Sequence, residues 1–118
     1  MRINGRTRIV IYEVKWMAKP EAIIMVIADW EKASNYVKEV CKKVAKEMGI
    51  KLEEKKEDYD FLCEYGVKNE YGGIDIPQVF IRYDNGEIKY VMSRVPLTPQ
   101  GQPDLEKAEK ILKEALGG

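Results

Sequence analysis

Ala22-Ile23-Ile24-Met25-Val26-Ile27-Ala28 is an unbroken apolar run of seven residues, set between Pro20 and Asp29. It falls far short of the roughly 20 residues that span a bilayer. Its length, its Ile and Val content and its flanking breakers read as a strand covered on both faces. Directly beyond it, over residues 31–48, the apolar positions are Ala33, Tyr36, Val37, Val40, Cys41, Val44, Ala45 and Met48, with Lys and Glu between them. That spacing is the period of an amphipathic helix, and Gly49 supplies its stop. A buried strand feeding such a helix places the chain in the α/β class.

Toward the C-terminus, residues 50–58 (I-K-L-E-E-K-K-E-D) fit a short, highly charged edge strand better than an exposed helical turn. Asp58 or Asp60 is placed to cap a second short helix carrying Phe61, Leu62 and Tyr65, and Gly66 with Gly72-Gly73 marks irregular backbone after it. Strands are expected at 78–83 and 87–93, joined through Asp84-Asn85-Gly86, because a hairpin turn needs residues that tolerate positive φ. Beyond Pro96, Pro99 and Pro103, Asp104 caps a last helix with Leu105, Ala108, Ile111, Leu112, Ala115 and Leu116 on one face, and Gly117 ends it. Toward the N-terminus, residues 1–6 read as a loose terminus and 7–15 (T-R-I-V-I-Y-E-V-K) as a β-branched strand. No repeat or linker divides the 118 residues, so one domain is expected over 1–118, with a variant N-terminal strand and connection over 7–21 and the core over 22–116.

Composition removes several kinds of chemistry. A chain of this length buries roughly two-thirds of its unfolded surface, so neither a disulfide framework nor a structural metal is required. Twenty Lys plus Arg balance twenty Asp plus Glu, which gives no electrostatic footprint for nucleic acid or an anionic membrane. With no histidine, there is no Ser-His or Cys-His nucleophile pair and no imidazole ligand. Cys41 and Cys63 stand apart with no Cys-x-x-Cys spacing, so zinc and iron–sulfur readings are weak and no cofactor is expected. No signal-like segment opens the chain, and a cytoplasmic location is expected. Abundant Lys and Glu beside scarce Gln and Asn is a bias of proteins from very hot environments. In such a cell a Cys41–Cys63 disulfide is admissible.

Two local motifs add to the element order. Ala28-Asp29-Trp30-Glu31-Lys32-Ala33-Ser34 joins the apolar strand to the long helix, and Tyr71-Gly72-Gly73-Ile74-Asp75-Ile76-Pro77-Gln78 opens the hairpin. In order and spacing these resemble the thioredoxin superfamily: its strand, Trp and Cys-x-x-Cys segment, then its Tyr-Gly approach to a cis-proline. Ile76-Pro77-Gln78-Val79-Phe80-Ile81 is closer to glutaredoxins, and Asn85-Gly86-Glu87 to thioredoxins. The resemblance spans 22–116. It implies a three-layer α/β sandwich, with a central mixed sheet of four to five strands flanked by about three helices, and a cis Ile76–Pro77 bond.

The departures from the family define the expected function. Glu31 and Ser34 stand where the two cysteines would be, and neither can form a disulfide. Cys41 lies ten helical residues beyond Glu31, about 15 Å along the axis, and shares the apolar stripe, which reads as a buried structural thiol. Residues 50–58 are too charged to be covered on both faces, so the sheet is trimmed or reordered there. About seven residues connect the strand over 7–15 to the apolar run, too few for a helical crossover.

What remains is a non-redox protein- or peptide-binding or scaffold domain. Its candidate groove is Trp30, Glu31, Ser34, Ile76, Pro77 and Gln78, with Ile76 offering its main chain to an extended segment as the family's residue does. Each residue also has an ordinary role: Glu31 as a favourable charge at a helix N-terminus, Ser34 as a backbone-bonding hydroxyl, Trp30 as a core ring and Pro77 as a strand opener. The alternative is a thiol-dependent, glutaredoxin-like oxidoreductase using Cys63 or Cys41. A third is a structural subunit pairing through a sheet edge.

Overall fold

The computed structural model describes residues 18–117. The expected loose terminus over 1–6 and the strand over 7–15 lie outside the described residues. The described elements run β1 (Pro20–Ile27), α1 (Ala33–Met48), β2 (Lys51–Lys56), α2 (Tyr59–Tyr65), β3 (Gln78–Tyr83), β4 (Ile88–Met92) and α3 (Leu105–Ala115). They form an α/β fold with a four-stranded mixed sheet of order β2-β1-β3-β4. β2 runs parallel to β1, while β3 is antiparallel to both β1 and β4.

The apolar run is central because both of its faces are covered. Ile23, Met25 and Ile27 pack with Val37, Val40, Cys41 and Val44 of α1 and with Ala108 and Leu112 of α3. Ile24, Val26 and Ala28 pack with Leu62 of α2, Ile76 and Phe80. The period-two alternation of a strand thus sends successive residues to two cores. Helices α1 and α3 lie on one face of the sheet and α2 on the other. β1 starts at Pro20, two residues before the apolar run, with its register to β3 interrupted between Pro20 and Ala22. A proline at the first strand position removes no interior ladder bond.

The helix ends follow the capping residues. Asp58 accepts the Phe61 N–H at 3.0 Å and Asp104 accepts the Lys107 N–H at 3.1 Å. Gly49 closes α1 in the left-handed region at φ +66°, a position where a Cβ is costly. In the hairpin, Gly86 N–H donates to the Tyr83 carbonyl at 2.9 Å and Tyr83 N–H to the Glu87 carbonyl at 2.8 Å. Gly86, at φ +88°, supplies the left-handed residue of a three-residue turn.

β2 is an outer strand of the described sheet, in keeping with its charge, but not every charge on it is merely solvated. Arg82 of β3 reaches across β1 to Glu53 with both guanidinium Nη atoms, Nη1 to Oε1 at 2.9 Å, while its Nε donates to Glu21 at 2.8 Å. The Arg82 hydrogen bonds hold the Glu53 carboxyl below its usual range. Glu53 is therefore not simply solvated, and its facing arginine two strands away is invisible in the local sequence. Both outer strands of the described sheet carry features that discourage pairing with another chain. β2 is lined with Lys and Glu, and β4 is bulged at Val91, the extra residue between the Val79–Met92 and Phe80–Tyr90 pairs.

Candidate functional site

The site is built where β1 and β2 end and α1 begins. The Glu31 N–H donates to the Ala28 carbonyl at 3.1 Å, turning the chain, and the Ser34 N–H then donates to the Glu31 carbonyl at 2.9 Å. No side chain of the cap residue Lys32 closes the helix. Glu31 does so instead: its Oε1 accepts the Ala33 N–H at 3.2 Å and its Oε2 accepts Nη2 of Arg94 at 3.3 Å. The carboxylate thus fills the helix's positive end, steadied by an arginine just beyond β4.

Trp30 projects from this turn and is 63% exposed. Its Nε1–H donates to Glu57 Oε1 at 3.1 Å. Glu57 is itself fixed by its main chain, donating to the Ile27 carbonyl at 2.8 Å and accepting from Tyr59 at 3.0 Å. Its φ of +47° lies in the left-handed region, which non-glycine residues enter at a cost of about 1–3 kcal/mol. Beside it, Lys56 pairs with Asp29 at 3.3 Å.

The other wall comes from β3. Val26 is opposite Gln78 in the β1–β3 register, which sets Ile76–Pro77 beside the end of β1. The Ile76–Pro77 bond is cis. Ile76 is 5% exposed, and its side chain packs with Ala28. Among the described residues, its main-chain N–H and C=O take no hydrogen-bond partner.

The structure brings Trp30, Glu31, Ile76 and Pro77 to one end of the sheet, with Trp30 exposed, Glu31 partly so and Ile76 and Pro77 buried, and it turns the two other candidates inward as well. Ser34 is 2% exposed, and its Oγ accepts the Ala28 N–H at 3.1 Å. That hydroxyl is committed to the β1–α1 connection. Gln78 is fully buried: its Nε2 donates to the Val67 and Asp75 carbonyls at 3.1 and 2.8 Å, and its Oε1 accepts the Val67 N–H at 3.1 Å. It clamps the segment 66–77 from below. Glu57 and Arg94, which complete the surface, are absent from the sequence-derived set. Glu57 sits in a charge run and Arg94 in a loop, and neither has a local signal.

No protein-family model and no curated protein matches the chain.

The two cysteines do not pair. Both are free thiols, and they lie on opposite sides of the sheet, Cys41 in the α1–α3 core and Cys63 on α2. The sheet stands between them, so the admissible disulfide does not form. Burial pushes the Cys41 thiol up to about 12, leaving it protonated and unreactive near neutral pH. Iodoacetamide at pH 7.5 should alkylate Cys63 in the native protein and leave Cys41 at least about 100-fold slower until denaturant is added. Mass spectrometry of tryptic peptides reads this directly, and two equally fast thiols would contradict the packing described.

Among the described residues, no cluster of three or more His, Cys, Asp or Glu side chains could hold a metal ion. No helix among them is long and apolar enough to cross a membrane.

Proposed function

We propose that the chain is a non-redox member of the thioredoxin superfamily that binds an extended peptide or protein segment at the end of the sheet shared by Trp30 and Pro77. One observation carries this reading. At the carboxyl end of β1 an exposed indole stands beside Glu31, an oxygen group in a position the family gives to sulfur, while Cys41 is buried under α1 and Cys63 lies on α2. Dithiol exchange needs a thiolate and a resolving thiol side by side, and the two cysteines of this chain lie on opposite faces of the sheet.

The sheet order, the helix after β1 and the cis bond before β3 support the superfamily assignment. The location agrees with a general property of open α/β sheets, which bind ligands beyond the carboxyl ends of their parallel strands. The unpaired main-chain groups of Ile76 supply what an added strand would use.

The test is a titration of ¹⁵N-labelled protein with acetylated, amidated hexapeptides built from Val, Thr and Gln. Shifts are expected at Trp30, Glu31, Ile76 and Arg94, and Trp30→Ala should weaken binding about tenfold, as loss of a buried aromatic anchor does. Absence of shifts at millimolar peptide, or shifts confined to α3, would overturn the reading. The exposure of Cys63 favours a second reading, a thiol-dependent oxidoreductase. Insulin reduction driven by dithiothreitol is expected to stay at the uncatalysed rate; turnover abolished by Cys63→Ser would install that reading instead.

A further inference from the structure

We propose that Trp30 and Glu57 together form a receptor for one basic side chain, a lysine or an arginine, of the bound segment. This rests on the peptide-binding reading and specifies what the segment must carry. The indole is 63% exposed, and no described ring or cation lies over it. Lys55, the nearby lysine that stacks on an aromatic ring, is engaged with Phe61 at 5.2 Å from the ring centroid. The face of Trp30 is thus free to attract a cation through its quadrupole.

Glu57 supplies the opposite charge. Three neighbouring carboxylates have cations or caps: Asp29 has Lys56, Glu31 has Arg94, and Asp58 caps α2 and lies 3.9 Å from Lys55, while Asp60 sits in the first turn of α2 and does not meet the indole. Glu57 makes no ion pair with a described residue, and one of its oxygens accepts the indole N–H. The aromatic face and the uncompensated carboxylate are therefore joined by a hydrogen bond and presented as one unit. Main-chain bonds on both sides of Glu57 hold that unit in place. A lysine or arginine stem can lie along the indole while its head meets the second oxygen. An apolar side chain covers the indole but strips water from Glu57 without replacing it, and an acidic one is repelled. The site therefore selects for positive charge on a long stem.

The experiment uses the same hexapeptides with one central residue exchanged for lysine, arginine, norleucine or citrulline. Norleucine keeps the lysine stem and citrulline the planar arginine shape, each without charge. Binding is read from the Trp30 indole N–H resonance, assigned by its loss in Trp30→Phe because Trp16 gives the other indole signal. The charged peptides are expected to bind about five- to tenfold tighter than their neutral counterparts. That preference should shrink in 0.5 M sodium chloride, where the Debye length falls to about 4 Å from about 30 Å at 0.01 M. Glu57→Gln keeps an acceptor for the indole N–H and removes only the charge, so it should bring the preference close to one, with circular dichroism confirming the fold. Equal affinity for charged and neutral peptides, or a preference that survives Glu57→Gln, overturns the receptor and leaves peptide binding standing. No shift with any of the four peptides overturns both.

Discussion

Phe80→Ala is expected to cost about 3–5 kcal/mol, the range for truncating a buried aromatic ring, and to loosen α2 before it loosens α1. Phe80 is fully buried at the centre of a chain of rings: Phe61 meets it edge-on at 5.1 Å, Tyr90 at 6.0 Å, and Tyr65 lies 4.9 Å from Phe61. Those contacts link the short helix to the far strand of the sheet. α2 has seven residues, and Leu62 is its one buried side chain. A helix that short is not stable alone, since isolated helices below about 12–15 residues are marginal in water. Removing the ring should therefore collapse hydrogen-exchange protection over 59–65 while α1, packed in the opposite core, stays protected until global unfolding. Urea midpoints give the total loss. A variant that loses protection equally in both helices would mean that the two layers unfold as one unit.

The second large effect is expected from Gln78→Leu, which keeps the size of the side chain and removes its amide. Three main-chain groups would lose their partner inside the protein, the N–H and C=O of Val67 and the C=O of Asp75. A buried group left unsatisfied costs about 1–3 kcal/mol, and these three belong to exposed Val67 and half-buried Asp75, so a loss of about 2 kcal/mol is expected by thermal or urea unfolding. Gly66 belongs to the same arrangement: a Cβ there would stand 2.6 Å from the Leu62 carbonyl oxygen and 2.9 Å from Gln78 Oε1. Gly66→Ala should destabilise as well, and the double variant should lose less than the sum of the two, because both break one contact. Gln78 touches no solvent, yet its loss should also weaken hexapeptide binding, since the segment it clamps ends in Ile76–Pro77. Unchanged stability in Gln78→Leu would show that water replaces the amide.

Local physics explains which features are legible in the residues. The apolar run 22–28, the stripe on α1, the caps Asp58 and Asp104 and the glycine turns all act within a few residues of themselves, and the structure places them as their patterns dictate. The outer position of β2 in the described sheet is legible for the same reason, since a strand of Lys and Glu cannot be covered on both faces. What is not legible depends on register and on which layer covers which face. Gln78 reads as a groove residue because it follows Pro77, but its parity and the path of 66–77 turn it inward. Ser34 reads as a stand-in for a surface thiol, yet its hydroxyl meets the Ala28 N–H beneath the turn. The apolar stripe gives the burial of Cys41 correctly. It says nothing of the side of the sheet on which Cys63 will lie. Arg94 and Glu57 reach the site only through folding, one from beyond β4 and one from the end of β2, so no local spacing could have paired them with Glu31 and Trp30.

The placement of the two thiols also governs how the protein ages in air. With the sheet standing between them, oxidation has no route to an internal loop closure that would tighten the chain. Two molecules can instead be joined through Cys63, so a stock kept without reductant would accumulate covalent pairs while each member keeps its shape.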